Sequence, residues 1–527
     1  MSDKQSFLDT LAAGYTFKGD TLRLGTAVFD GEVQTGAFIG VPLKTLNRHG
    51  MISGATGTGK TKTLQILAEQ MSLAGIPTLL MDIKGDLSGI AQPAAPNPKL
   101  DERHTRLGFP FEAGSSPVEL LSLSDEPGVR LRATVTEFGP VLFSKILDLS
   151  DIQAGVVSVV FKYCDDHHLP LLDLQDFRKT LQYISNEGKE EVEKEYGLIS
   201  SASVGAITRK LIALEQQQAD RFFGEPSFDV RDLTRKTRDG RGIVSILRLT
   251  DIQDRPQLFS TFMMSLLAEI YSTFPELGDP KQPELVIFID EAHLLFKEAS
   301  SELLDMIETV IKLIRSKGVG IFFCTQTPDD VPEDVLGQLG LKIQHALRAF
   351  TAKDRKAIKL AVQNFPETPY YDIESLITSL GIGEALVTVL NEKGIPTPLV
   401  HTMLRAPQSR MDVLTPAEID AIVRDSDLVA EYNREVDRDS AYELLTAKIA
   451  EAEEEAQQEK MRNQRETAAK TPTGARRRAE KSVIEKISEN TMVRQVGRTL
   501  ARELTRGLLG VLGVGGSTTK RRTTRKR

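Results

Sequence analysis

The feature that most constrains this chain is a glycine-rich octapeptide, GATGTGKT, which runs from Gly54 to Thr61. It matches the pattern G-x-x-x-x-G-K-[ST], in which glycines permit a tight turn that points successive backbone N–H groups at phosphate oxygens. The preceding HGMISG is typical of a strand. The following residues predict a helix from about Lys60 to Ala74, whose N-terminal dipole favours an anion. This context predicts a phosphate-binding loop between a strand and a helix.

Each residue type of this loop then has a chemical task. Lys60 reaches the β- and γ-phosphates of a nucleotide, and the Thr61 hydroxyl ligates Mg²⁺, so the predicted cofactors are ATP and Mg²⁺. The alternative is an ordinary glycine-rich turn before a helix. The predicted nucleotide-binding residues are Gly54, Ala55, Thr56, Gly57, Thr58, Gly59, Lys60, Thr61 and Lys62.

A pair of carboxylates, Asp290 and Glu291, ends the hydrophobic segment LVIFIDEAH. Consecutive carboxylates at the end of a buried strand are costly unless they face a cation or water. With a phosphate loop upstream, we predict that Asp290 holds Mg²⁺, directly or through water, and that Glu291 activates the water attacking the γ-phosphate. The alternative is that either carboxylate caps the following helix. For His293 we leave open a link to a neighbouring site and a surface or capping role.

Two further strands end in polar residues. VGIFFCTQ ends with Gln326, which we predict to sense the γ-phosphate; the alternative is a turn residue. Cys324 in the same strand is predicted to be a core residue. TLLMDIKGD contains Asp82, which either positions water or the sugar or caps the next turn.

The alternation of strand-like and helix-like segments predicts an α/β fold with a mainly parallel sheet. The first 45 residues are predicted to form short strands and turns, and LGFPFE, in the Pro- and Gly-rich segment 90–130, one short strand. Residues after 406 are predicted to be helical. The predicted domains are a short N-terminal β region at 1–45, an ATPase core at 46–135 and 236–405, a helical insertion at 136–235, a helical extension at 406–470 and a basic tail at 471–527.

Composition excludes several classes of protein. Hydrophobic residues make up 40% and charged residues 27%, which excludes a wholly disordered chain. Apolar runs such as LVIFI are too short for a membrane-spanning helix, and the N-terminus shows no secretory signal. The two cysteines, Cys164 and Cys324, exclude a disulfide framework and a cysteine zinc site. We therefore expect a cytoplasmic protein without an integral membrane segment.

The charge of the chain is unevenly distributed. Residues 470–527 carry 16 Lys and Arg against 4 Asp and Glu, whereas the remainder is acidic. Over 482–512 an arginine stripe and an apolar stripe predict a basic amphipathic helix. It would bind DNA or RNA, dock on a subunit or the acidic body, lie on a membrane, or remain solvated. The stripes are Arg494, Arg498, Arg502 and Arg506, and Val496, Leu500, Leu504 and Leu508.

Four segments in this order, GATGTGKT, LLMDIKGDLSG, LVIFIDEAHLLF and IRSKGVGIFFCTQTPDDVP, resemble the HerA–FtsK superfamily of DNA-pumping ATPases. The closest resemblance is to its bacterial helicase HerA-like (YjgR-like) branch, and it covers most of residues 8–410. The resemblance implies a RecA-like core. The inserted helical subdomain and the helical C-terminal extension are predicted from the sequence, and the insertion is a feature that the minimal family core does not need. The resemblance also implies a hexameric homo-oligomer with ATP sites between subunits, DNA in the central channel and a nuclease partner.

The resemblance further implies an arginine that reaches a neighbour's nucleotide. Arg348, in LKIQHALRAFTAKD, stands at the matching place; Arg355 is the alternative, and Arg315 matches a second basic position. An arginine acting in trans makes catalysis depend on assembly, whereas the alternative for each is a surface ion pair. The predicted catalytic residues are Lys60, Glu291, Gln326 and Arg348, with Thr61 and Asp290 at the metal.

One departure from the family is that only about 50 residues precede Gly54, too few for the complete β-barrel domain of HerA proper. The leading function is ATP hydrolysis by a ring-forming DNA translocase or helicase. The alternatives are a secretion or conjugation ATPase with the same core, and a nucleotide-gated scaffold. Glu291 speaks against the scaffold, because a pure switch needs no water-activating carboxylate.

Overall fold

Twelve strands form a single sheet in the computed structural model, which describes residues 3–468 except 279, 299–300, 350, 435 and 437. The strands are β1 (Thr21–Phe29), β2 (Glu32–Pro42), β3 (Gly50–Ser53), β4 (Thr78–Asp82), β5 (Val118–Ser122), β6 (Val129–Arg130), β7 (Val244–Arg248), β8 (Leu285–Ile289), β9 (Val319–Thr325), β10 (Leu341–Gln344), β11 (Glu384–Thr388) and β12 (Val400–Leu404). Their order is β2-β1-β12-β11-β10-β3-β9-β8-β4-β7-β5-β6.

The strand directions divide this sheet into two parts. The eight strands from β10 to β6 run parallel to one another. From β10 outward through β11, β12, β1 and β2, every pairing is antiparallel. The predicted α/β class with a mainly parallel sheet is therefore confirmed.

The helices connect and flank these strands. None in the described ranges is both long and apolar enough to cross a membrane. They are α1 (Asp3–Tyr15), α2 (Lys60–Leu73), α3 (Pro98–Leu107), α4 (Val135–Ile146), α5 (Asp151–Asp166), α6 (Leu174–Ser185), α7 (Lys189–Glu195), α8 (Ser201–Gln216), α9 (Pro256–Thr273), α10 (Ala292–Glu298), α11 (Ser301–Leu313), α12 (Glu333–Leu336), α13 (Ala352–Gln363), α14 (Ile373–Ser379), α15 (Pro416–Arg424), α16 (Asp427–Tyr432) and α17 (Ala441–Ala468).

Two compact units divide the chain. The sheet unit comprises Met1–Arg132 and Pro226–Glu435 and contains all twelve strands. The helical unit comprises Ala133–Glu225 together with the described residues from Val436 to Ala468. The region predicted as a helical extension, 406–470, is thus shared between the units. The predicted basic tail, 471–527, lies outside the described residues.

Two predictions about local structure are wrong. Residues 3–15 form α1 rather than strands, because Phe7 and Leu11 repeat at helical spacing and are buried. The Phe7 ring stacks on Phe29 with ring centroids 4.8 Å apart. The LGFPFE segment is not a strand, since its Leu107 ends α3 and Gly108 closes that helix at a φ of +85°.

The central strands are buried along their whole length. Every residue of β3, β8 and β9 is buried, which accounts for their largely apolar sequences. Phe288 and Phe322 pack in this core with ring centroids 5.0 Å apart, and Cys324 lies there too, as predicted. Polar side chains are therefore concentrated where the chain leaves these strands.

The helical unit is held together by an aromatic core and a polar clamp. The rings of Phe143, Phe161 and Phe177 pack against one another, with centroids 6.0 Å apart for Phe143 and Phe161, 4.8 Å for Phe143 and Phe177, and 6.0 Å for Phe161 and Phe177. At the clamp, the buried Asp176 of α6 accepts hydrogen bonds from the Ser440 hydroxyl and, at 2.9 Å, from the Tyr442 N–H. These bonds fix the first turn of α17 against α6.

Candidate nucleotide-binding site

Four neighbouring parallel strands end at one edge of the sheet, in the order β3, β9, β8, β4. The glycine-rich loop follows β3 at Gly54, Gln326 follows β9, Asp290 follows β8, and Lys84 comes two residues after β4. The carboxyl ends of parallel strands form the usual ligand-binding edge of an α/β sheet. The structure therefore brings the phosphate loop, the acidic pair and Gln326 to one edge.

The phosphate loop needs its glycines for two different reasons. Gly54, Gly57 and Gly59 have φ values of +154°, +78° and +115°, which L side chains rarely adopt. At Gly54 a Cβ would also lie 2.5 Å from the Cβ of His345, whereas at Gly57 it would meet no atom within 4 Å. Crowding by the protein thus constrains Gly54, and backbone conformation alone constrains Gly57.

Lys60 begins α2 and is only 6% exposed. Its Nζ donates to the Ala55 carbonyl at 3.3 Å, so the ammonium folds back over the loop. The loop itself is closed by the Thr58 hydroxyl, which donates to the same carbonyl at 2.7 Å. A buried ammonium at a helix N-terminus is well placed to meet an anion.

His345 forms the floor under the loop and was missed by the sequence reasoning. Its Nε2 lies 2.9 Å from the Thr63 hydroxyl, and its backbone N–H donates to Ser53 at 2.7 Å. Burial and the nearby Lys60 charge lower the pKa of His345 to about 3, so the ring is neutral. A signal was available, namely a histidine directly after the alternating, strand-like segment LKIQ, but its position depends on β10 pairing with β3.

Asp290 is a buried carboxylate that lacks a full set of partners. It is 1% exposed, and its Oδ2 has no hydrogen-bond partner among the described residues. Burial raises the pKa of Asp290, although the positive charge of Lys84 acts to lower it. An orphaned carboxylate oxygen in such a place fits a cation. Asp290 and the Thr61 hydroxyl are oxygen donors of the type that Mg²⁺ prefers, so these residues fit the predicted metal.

Glu291 has an unusual backbone and a basic partner. Its φ is +46°, and its Oε1 forms an ion pair with Lys84 Nζ. The Nδ1 of His293 lies 3.0 Å from Oε2, although neither atom makes a well-formed hydrogen bond. Burial by itself would raise the pKa of Glu291, but the Lys84 hydrogen bond and charge outweigh it and lower that pKa. The carboxylate is therefore ionised at neutral pH.

Asp82 is the cap of a turn. It accepts hydrogen bonds from the backbone N–H groups of Gly85, Asp86 and Leu87 at 2.7, 3.2 and 3.1 Å. Burial raises the pKa of Asp82 to about 7. Of the two roles left open by the sequence, capping is the one observed. The turn that Asp82 holds carries Lys84.

Gln326 and the candidate arginines are exposed. Gln326 leaves β9 between the phosphate loop and the acidic pair. Arg348 donates to the Thr378 carbonyl of its own chain at 2.9 Å. Arg315 and Arg355 are also exposed. All three residues are thus at the protein surface, and their catalytic roles stay predictions.

Comparison with known proteins gives a family. The Helicase HerA-like C-terminal family model matches residues 29–519. The DNA double-strand break repair helicase HerA of Sulfolobus acidocaldarius is 23% identical over 385 residues, which cover 71% of this chain and 70% of that protein. The DNA import protein CedB of the same organism is 26% identical over 368 residues, covering 68% of this chain and 52% of that protein.

Similar solved structures include the plasmid coupling protein TrwB in complex with ADP and Mg²⁺, with a TM-score of 0.47 and 16% identity. That match covers 76% of this chain and 99% of TrwB. VirB4 of Thermoanaerobacter pseudethanolicus matches with a TM-score of 0.47 and 16% identity, covering 77% and 99%. Because the family model spans most of the sequence, the chain belongs to the helicase HerA-like family of P-loop ATPases.

Proposed function

We propose that this HerA-like ATPase is a ring-forming motor that couples ATP hydrolysis to movement on DNA. The observation that carries the proposal is the meeting of Lys60, Asp290 and Glu291 at one sheet edge, with Asp290 lacking a partner for Oδ2. DNA as the substrate is supported by the names of the relatives, a DNA repair helicase and a DNA import protein.

In the proposed reaction, the loop N–H groups and Lys60 bind the triphosphate of ATP. Thr61 and Asp290 would hold Mg²⁺, which supplies charge neutralisation on the β- and γ-phosphates. Glu291 orients the attacking water and accepts its proton, while Lys84 fixes the carboxylate. Gln326 contacts the γ-phosphate. His345 supports the loop from below without adding charge to it.

The assembly is part of the proposal. Arg348 from one subunit would stabilise the charge that develops on the phosphate bound by the next. This arrangement suits a hexameric ring with DNA in its channel, as the family resemblance implies. A nuclease partner and a cytoplasmic location remain predictions from the same resemblance and from composition.

A second candidate is a motor for DNA transfer of the secretion or conjugation kind, favoured by the similarity to CedB. Both candidates hydrolyse ATP on DNA, and they differ in their partners. A transfer motor requires a membrane-bound partner, whereas a repair motor binds DNA ends together with a nuclease. Two measurements separate them. Co-purification with membrane proteins would favour the transfer motor, and binding to free DNA ends would favour the repair motor.

The test of the main proposal is ATP turnover by the full chain, alone and with single- or double-stranded DNA, alongside its mass in solution. Lys60→Ala serves as the inactive control. We expect turnover that DNA stimulates in an oligomer and that Lys60→Ala abolishes. Binding of ATP without turnover in any condition would instead indicate a nucleotide-gated scaffold.

A further inference from the structure

An exposed aliphatic side chain stands beside the phosphate loop. Ile382 is 75% exposed, and its neighbour Gly383 donates a backbone hydrogen bond to the Thr58 carbonyl at 3.1 Å. The approach is close, since a Cβ on Gly59 would lie 3.3 Å from the Gly383 nitrogen. A single exposed isoleucine is ordinary on a protein surface. The role of Ile382 therefore depends on its position relative to the nucleotide and on the contacts that hold its segment.

The sheet order places Ile382 on a particular side of the nucleotide. In the proposed site the γ-phosphate faces Glu291, which follows β8 on one side of β3. The opposite side of β3 is occupied by β10 and then β11. Ile382 precedes β11, which runs antiparallel to β10, so it lies at the same edge as the phosphate loop. The base and the γ-phosphate are at opposite ends of a nucleoside triphosphate. A nucleotide whose γ-phosphate points toward β8 therefore directs its base toward β10 and β11.

The segment that carries Ile382 is held rigidly. The Arg103 guanidinium donates to the Gly383 carbonyl at 2.6 Å and to the Leu404 carbonyl at 2.8 Å. The Leu404 N–H donates back to Gly383 at 3.0 Å, and the Gly381 N–H donates to Glu384 at 3.0 Å. Little conformational entropy would be lost when a ligand packs against a surface that is already fixed.

We propose that Ile382 is the apolar platform on which the base of the bound nucleotide packs. The proposal rests on the ATP site proposed above and adds the contact that recognises the nucleoside. The isoleucine side chain has no hydrogen-bonding group that could distinguish one base from another. The platform therefore serves adenine and guanine alike, and it contributes nothing to the binding of phosphates that carry no base.

The experiment compares ligands with and without a base. Binding of ATP, ADP, GTP and inorganic tripolyphosphate, each with Mg²⁺, is measured by calorimetry on the full chain. Ile382→Ala should weaken the three nucleotides about 10-fold, from lost apolar contact, and leave tripolyphosphate unchanged. Ile382→Leu, which keeps the aliphatic area, should stay within about 3-fold of the unsubstituted chain.

The matched control is Ile152→Ala in α5, since Ile152 is also 75% exposed. It should change none of the four affinities. Unchanged ATP affinity in Ile382→Ala would overturn the platform, and so would an equal loss for ATP and tripolyphosphate, which would mean that the loop itself had shifted. The mass of the assembly, measured at a fixed protein concentration, tests whether Ile382 acts through subunit contacts. A loss of ATP affinity that appears only as the assembly shrinks would make Ile382 a subunit contact instead.

The outcome also separates this inference from the proposed function. An unsubstituted chain that binds neither ATP nor tripolyphosphate would remove the ATP site and the platform together. A chain that binds both ligands, loses both in Lys60→Ala and loses neither in Ile382→Ala would remove the platform alone.

Discussion

Glu291 occupies a backbone conformation that non-glycine residues rarely adopt, with a φ of +46°. Such a conformation persists only when the surrounding contacts hold it in place. Here the ion pair with Lys84 supplies one such contact, and the buried Asp290 precedes it in the chain. The proposed mechanism thus assigns activation of the attacking water to Glu291, a residue with a strained backbone.

Replacing Glu291 by Gln tests that assignment. The amide keeps the size of the side chain but cannot accept the proton of the attacking water. We expect ATP affinity to be retained while turnover falls by roughly 100-fold or more. Turnover is measured under saturating ATP, with Lys60→Ala as the control that weakens binding as well. Near-normal turnover in Glu291→Gln would remove Glu291 from the reaction.

Lys84 should act through Glu291 rather than on ATP binding. Lys84→Met removes the ion pair and leaves the carboxylate free to turn, so turnover should fall about 10-fold with little change in ATP affinity. Lys84→Arg, which can still pair with a carboxylate, should recover part of the loss. Lys99→Met, at an exposed position of α3, is the control. A loss of ATP affinity as large as the loss of turnover would contradict this role.

His49 should make the folded state sensitive to acid. Its Nε2–H donates to the Ile311 carbonyl at 2.8 Å, and its Nδ1 accepts from the Ile321 N–H at 3.1 Å. If Nδ1 were protonated, its N–H would face the Ile321 N–H, and neither donor would have an acceptor. Burial, with the Arg315 charge, lowers the pKa of His49 to about 4.

Because this pKa is depressed in the folded state, the stabilisation is complete above the unfolded value of about 6.5 and is lost as pH falls toward 4. The free energy of unfolding should fall by about 1.4 kcal/mol per pH unit for this one group. Denaturant unfolding between pH 7 and pH 4.5 measures the slope. His49→Gln should flatten it, whereas Ile152→Ala, an exposed substitution that removes no titratable group, should not. An unchanged slope in His49→Gln would exclude this titration.

The contact between α6 and α17 depends on one carboxylate. Asp176 accepts hydrogen bonds from Tyr442 and, at 2.7 Å, from the Leu172 N–H, in addition to Ser440. Asp176→Ala leaves several buried donors without a partner and should cost about 3 kcal/mol of unfolding free energy. Denaturant unfolding measures the loss, and protease cleavage at α17 should accelerate in parallel. Asp220→Ala, an exposed substitution, should leave both unchanged.

At the level of the whole assembly, the trans arginine makes a prediction about mixtures. Arg348→Ala and Glu291→Gln subunits should each turn over ATP poorly. Mixed together, some of their interfaces join an intact Glu291 to an intact Arg348, so part of the activity should return. Recovery is measured as a function of the mixing ratio, with Lys60→Ala plus Glu291→Gln mixtures as the reference. A monomer that hydrolyses ATP as fast as the oligomer would exclude a trans arginine.

The sequence by itself determined the elements whose structure is local. The octapeptide from Gly54 to Thr61 predicts its own turn, because glycines and a helix start fix the backbone within a few residues. The apolar runs that end at Asp290 and Gln326 likewise predict buried strands with polar ends. Conversely, α1 was missed because its Gly- and Thr-containing surroundings resemble strands and turns more than a helix.

Only the tertiary structure decided which distant residues meet. Lys84 pairs with Glu291 because β4 lies beside β8, and His345 lies under the phosphate loop because β10 lies beside β3. Gly383 reaches Thr58 across the same edge, and Asp176 binds the start of α17 far along the chain. Strand order and long-range packing set these contacts. Periodicity and motif spacing report local backbone structure and do not encode which strand lies next to which.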